Sequence, residues 1–119
     1  MLKYFSPVIV LIFISCSGSK PGMLLPEKVS PEIYEVLLEN EIVKVMKVSF
    51  APGQEDNMHD HYPFTGYLLD GGKAQVTMPN GKVNEREFPS GFIAHNGNGI
   101  RHKVKNIGSN DINIILIEH

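Results

Sequence analysis

The segment Gly53–Gly72, GQEDNMHDHYPFTGYLLDGG, decides the fold and carries the first candidate site. His59 and His61 stand two residues apart, so on a strand both imidazoles leave the same face. Asp60, between them, then points to the opposite face and does not count as a ligand. A second segment, Gly91–Asn106, GFIAHNGNGIRHKVKN, brings His102 from a distant strand. Three neutral imidazoles meeting in one pocket suit Zn, Fe, Ni or Cu and leave coordination positions open. Taken alone, a His-x-His pair reads more simply as polar residues lining a wet barrel mouth.

Outward from these segments, short runs rich in β-branched and aromatic residues alternate with turn residues, which argues for an all-β domain without long helices. Strands are expected near 34–38, 42–50, 60–61, 66–69, 74–78, 83–88, 92–94, 102–106 and 112–118. Asn80-Gly81, between two strand-like runs, is the clearest hairpin signal. Many short strands in one domain imply a barrel or jelly-roll sandwich, which limits exposed sheet edges. No repeat suggests a solenoid.

The N-terminus reads differently. Lys3 precedes an uncharged apolar run, Tyr4 to Ile14, and small residues follow at Ser15-Cys16. That order marks a secretory signal peptide over residues 1–15, and the run falls short of the ~20 apolar residues that span a bilayer. Phe13-Ile14-Ser15-Cys16 resembles a bacterial lipobox, which implies cleavage before Cys16 and lipidation of its thiol. Cys16 is the chain's one cysteine, so no intramolecular disulfide forms. The protein is therefore expected in the cell envelope, membrane-anchored and facing the periplasm or exterior. Residues 16–30, rich in serine, glycine and proline, read as a flexible tether, and 31–119 as the folded domain. Without Lys3 the formal charge goes from −2 to −3 with no basic cluster, which gives nucleic-acid binding no electrostatic support.

Read together, the two histidine segments resemble the motifs of the cupin superfamily. The first cupin motif runs glycine, five residues, His-x-His, three or four residues, glutamate, six residues, glycine. Here Gly53, His59, His61, Thr65 and Gly72 stand at those places. The second runs glycine, five residues, proline, one residue, glycine, two residues, histidine, three residues, asparagine. Gly91, Gly97, Gly99, His102 and Asn106 match it, with glycine for proline. The resemblance covers about residues 34–118 and implies a single-domain cupin β-barrel, the double-stranded β-helix or jelly roll, of the small quercetin dioxygenase-like or RmlC-like kind. It implies that His59, His61 and His102 hold one divalent metal ion, with Fe, Zn, Ni, Mn and Cu all open. The glutamate that supplies a fourth ligand in many cupins falls at Thr65, or at Gly66 with the longer spacing. A three-histidine site is similar to that of cysteine dioxygenase-like cupins.

Three functions follow: a metal-dependent, dioxygenase-like oxidoreductase on a small molecule; a non-catalytic module that binds a small ligand or metal in the envelope; or a structural role in which a dimer presents its outer sheet to a partner. A homodimer paired through the outer sheet follows from the resemblance alone. Tyr67, with its hydroxyl, and His95, two residues after Ile93, are the secondary candidates for the site. Met58, Phe64 and Phe92 read as core, Glu55 and Asp56 as loop charges, and His119 as solvated. No serine has a histidine partner in a known motif, and no phosphate-binding glycine loop is present.

Overall fold

In KVMKVSF, Lys44–Phe50, residues alternate strictly, and Lys44, Met46, Val48 and Phe50 are buried while those between face outward. This period of two places one face of the strand on the core. A computed structural model describes residues 22–119. The signal peptide, Cys16 and the start of the tether lie outside the described residues.

Nine strands follow a single helical turn, α1 (Pro26–Val29): β1 (Tyr34–Glu39), β2 (Lys44–Phe50), β3 (His59–His61), β4 (Phe64–Asp70), β5 (Gly72–Thr77), β6 (Val83–Phe88), β7 (Ile93–Asn96), β8 (Ile100–Asn106) and β9 (Ile112–Glu118). They form a five-stranded sheet in the order β1-β2-β9-β4-β7 and a four-stranded sheet in the order β3-β8-β5-β6. Every pairing is antiparallel. The sheets enclose Met46, Val48, Phe50, Ala74, Ile112 and Leu116, whose apolar burial drives the packing.

All nine expected strands are present, and their ends differ for local reasons. β2 begins at Lys44 rather than Ile42, because the Asn40 side chain accepts hydrogen bonds from the N–H groups of Ile42 and Val43 and holds them in a turn. β7 begins after Phe92, whose N–H donates to Pro89 O in the preceding turn. The Asn80-Gly81 hairpin joins β5 to β6, with Gly81 at φ 89 and its N–H donating to Met78 O.

Two motif residues prove to be structural. Asn106 is fully buried; its amide donates to Phe50 O and Asn110 O while its oxygen accepts from Gly108 N–H, pinning two turns together at one end of the barrel. Gly99 sits at φ +76, and a Cβ there would lie 2.5 Å from His61 O, so only glycine lets the β7–β8 turn press against the end of β3.

The latter part of the expected tether is docked. Pro26 and Ser30 are fully buried, and Glu27 on α1 pairs with Lys44 at 2.6 Å. Just before α1, Leu24 O accepts from Asp60 N–H at 2.7 Å, and Leu24 N–H donates to the Asp60 carboxylate at 2.8 Å. This segment therefore lies along the side of β3 that β8 leaves free.

Candidate metal site

The period of two on β3 sends His59 and His61 inward, both buried, and sends Asp60 outward to a bidentate pair with Arg101. That ion pair holds the Asp60 carboxyl below the usual range. β3 pairs with β8 so that His59 faces His102 directly across the ladder. One ring nitrogen from each of the three histidines lies within 4.8 Å of the other two, and the ring centroids stand 4.6, 4.8 and 5.3 Å apart. The sequence-based triad is thus assembled in space.

Tautomers follow from the outer nitrogens. His59 Nδ1 lies 2.7 Å from Asn57 O, and a carbonyl only accepts, so Nδ1 carries the hydrogen and Nε2 the lone pair. Asn57 is itself fixed from α1, its N–H donating to Ser30 Oγ and its amide to Val29 O. His61 Nδ1 stands 2.6 Å from Glu118 Oε2. An ionised Glu118 takes the Nδ1 hydrogen and leaves a second lone pair on His61 Nε2.

The two Nε2 atoms are 2.9 Å apart. With Glu118 ionised, two lone pairs face each other, and a cation held between them relieves the repulsion; with Glu118 protonated, His61 Nε2–H donates to His59 Nε2 instead. His102 Nδ1 is also buried and has no hydrogen-bond partner among the described residues. Burial pushes His61 and His102 down to about 3, so both stay neutral and able to donate a lone pair. By donor type, tautomer and convergence these residues fit a divalent transition metal.

Three neighbours had no role in the sequence reading. Burial pushes Glu118 up to about 7 against the opposing pull of Lys44, whose Nζ lies 3.8 Å from Oε1. Asp56, read as a loop charge, is buried; it accepts from Tyr34 OH at 2.7 Å and from Val104 N–H. Burial raises its carboxyl, and burial together with Asp56 raises the Tyr34 phenol well above its ordinary value. The Tyr34 oxygen stands 3.3 Å from His59 Nε2.

The place of the missing glutamate is also explained. Thr65 faces away from the interior and its hydroxyl hydrogen-bonds to His95 Nδ1. Gly66 is the inward residue, and a Cβ there would already lie 3.3 Å from Leu116. One inward step along the same ladder, Phe64 pairs with Glu118. The carboxylate reaches His61 from β9, on the ring nitrogen away from the triad. The sequence reading of three histidines without a carboxylate is accordingly refined: a carboxylate is present as the orienting partner of His61.

Beside the triad lies a cavity of about 530 Å³ lined mainly by apolar groups, among them Val48, Phe64, Leu68, Val76, Phe92 and Ile114. Tyr67, one of the secondary candidates, is 44% exposed on the outward row of β4 and does not line this cavity, because Gly66 and Leu68 take the inward positions. His95 stands at the rim, exposed, bonded to Thr65 and stacked on His119, outside the triad.

The chain is similar to solved cupin structures. A cupin domain from Bordetella pertussis matches with a TM-score of 0.66 and 26% identity over 72% of this chain and 90% of that one. An RmlC-like cupin with a double-stranded β-helix from Methanocaldococcus jannaschii matches with a TM-score of 0.57 and 16% identity over 72% and 77%. A cupin barrel protein from Salinispora arenicola matches with a TM-score of 0.52 and 18% identity over 71% of each chain. No family model matches the sequence, nor does any curated protein. The fold is that of a single-domain cupin, and its structural neighbours support the cupin superfamily.

Proposed function

We propose that His59, His61 and His102 hold one divalent metal ion through their inner nitrogens and that the adjoining cavity presents a small organic molecule to it. The observation that carries this reading is the 2.9 Å approach of His59 Nε2 and His61 Nε2, with Asn57 O and Glu118 occupied on the outer nitrogens. A bound ion would act there as a Lewis acid and as an anchor for ligand at the positions the imidazoles leave open. The chain's own contribution is to fix the ring orientations, keep the donors unprotonated and exclude water with the apolar lining.

Within this reading the protein is a dioxygenase-like oxidoreductase. Tyr34 is the lining residue besides the histidines with a titratable hydroxyl, and its proton is held by Asp56, so acid–base chemistry by side chains has little support. The same scarcity favours, as the second reading, a module that captures its ligand without turnover. Oxygen uptake by metal-loaded protein with ligand present separates the two.

The metal reading is tested by elemental analysis after reconstitution with Fe(II), Zn(II), Ni(II), Mn(II) or Cu(II) and gel filtration. About one equivalent retained by the wild type, and a loss of about a hundredfold or more in affinity in a folded His102→Ala variant, is expected for a three-ligand site. Failure to retain any of the five ions overturns it.

The lipid anchor belongs to the same proposal: Lys3, the apolar run to Ile14 and Cys16 support an envelope protein tethered through residues ahead of the described domain.

A further inference from the structure

We infer that the cavity ligand is a small monocarboxylate with an apolar body, and that Arg86 receives its carboxylate. The inference deepens the reading of the cavity as a small-molecule site and rests on it. On β6, Arg86 pairs with Ala74, a buried residue of the inner face, so the guanidinium side chain leaves the same face and lines the cavity. It lies over two aromatic rings, 4.8 Å from the Phe88 centroid and 5.3 Å from the Phe92 centroid. These rings, themselves packed edge to face, hold the planar head in place.

Arg86 is exposed, so its head stands where the cavity opens to solvent and an incoming ligand can reach it. Among the described residues Arg86 has neither an ion-pair partner nor a hydrogen-bond partner, and Glu85 and Glu87 alternate to the other face of β6. Its five N–H groups are thus free to form a fork on an incoming oxyanion. Among the described residues it is the one Lys or Arg lining the cavity, so the wall itself offers one fixed cation, the complement of a single carboxylate. The remaining wall is mainly aliphatic and aromatic, with Asn96 and His95 among the few polar groups besides the triad, which asks for an apolar body.

Register sets the distance between the two ends. Ala74 pairs with Arg86 on one side and with Asn106 on the other, and Asn106 lies four residues beyond His102 on β8. Arg86 is therefore two strands across and four residues along from the triad, ~10 Å and ~13 Å in backbone terms. Side chains from both ends close part of that gap. A ligand of several carbons fills the rest.

The test uses metal-free wild-type protein in chelator, so that its outcome does not depend on whether an ion binds. Titration with 4-phenylbutanoate, its primary amide and propanoate is followed by calorimetry or ligand-observed NMR. The acid should bind about tenfold or more tighter than the amide, the advantage of a charge-assisted pair over a neutral one, and propanoate should bind least. Arg86→Gln should abolish the preference for acid over amide while leaving amide binding intact, and Arg86→Lys should restore part of it. Phe92→Ala should weaken the preference as well, by unseating the guanidinium. Equal binding of acid and amide, a preference that survives Arg86→Gln, or no binding of any probe at millimolar concentration would overturn the inference. Failure to retain metal, with the acid preference intact, would overturn the metal reading alone.

Discussion

Glu118 Oε2 stands 2.6 Å from His61 Nδ1, so the last strand of the barrel sets which nitrogen of His61 faces the triad. Glu118→Gln keeps the shape but loses the charge that fixes this tautomer. Metal affinity, read by competition with a chromogenic chelator, should fall about 10- to 100-fold. An unchanged affinity would show that Glu118 is only a packing residue.

Protonation leaves a second mark, on the stability of the metal-free protein. His61 and His102 sit at about 3 in the folded chain against 6.5 in the unfolded one. Between those values the unfolded chain binds the extra protons, so stability rises with pH. Glu118 sits at about 7 against 4.5, so in its window the folded chain holds the extra proton and stability falls with pH. Two histidines outweigh one glutamate from 4.5 to 6.5. Urea unfolding at stepped pH should show stability climbing and then levelling off near 7, with a slope between 4.5 and 6.5 on the order of 1 kcal/mol per pH unit. His102→Gln should flatten the rise between 4.5 and 6.5; a slope equal to the wild type's would refute the assignment.

Gly99→Ala forces a Cβ to within 2.5 Å of His61 O at a positive φ. The expected cost is about 2–4 kcal/mol of stability, from strain and from displacement of the neighbouring backbone. Because the displaced carbonyl belongs to His61, metal affinity should fall too, whereas Gly81→Ala, in the open β5–β6 turn, should cost stability alone. Chemical denaturation and chelator competition on both variants make the comparison.

For location, Cys16→Ser should move the protein from the membrane fraction to the soluble fraction of its native host. Retention in the membrane would remove lipidation as the anchor.

Much of this was readable from the sequence because strands impose a period of two. That period put His59 and His61 on one face and Asp60 on the other, and the structure agrees at each. Glu118 was legible by the same rule, since Ile112, Leu116 and Glu118 share the inward parity of β9, but a charge at the end of an apolar strand reads as a solvated terminus. Only the pairing of Phe64 with Glu118, across 54 residues of sequence, turns it toward His61. Asp56 gave no signal, because its burial depends on Tyr34 and Val104 closing over a loop. Arg86 gave no signal, because it stands on a strand exposed from Val83 to Glu87 and the aromatic seat beneath its head comes partly from Phe92, beyond the next turn. Tyr67 attracted notice for its hydroxyl alone, although parity with Gly66 already placed it outside.

The docking of Leu24 beside β3 reaches further than its two hydrogen bonds. β3 has only three residues and one ladder partner, so its other edge would offer open N–H and C=O groups to any passing strand. Leu24 and α1 close that edge. A chain shortened to begin after Ser30 would keep all three histidines and yet present a bare strand edge, and its failure would take the form of self-association into aggregates before any loss of chemistry.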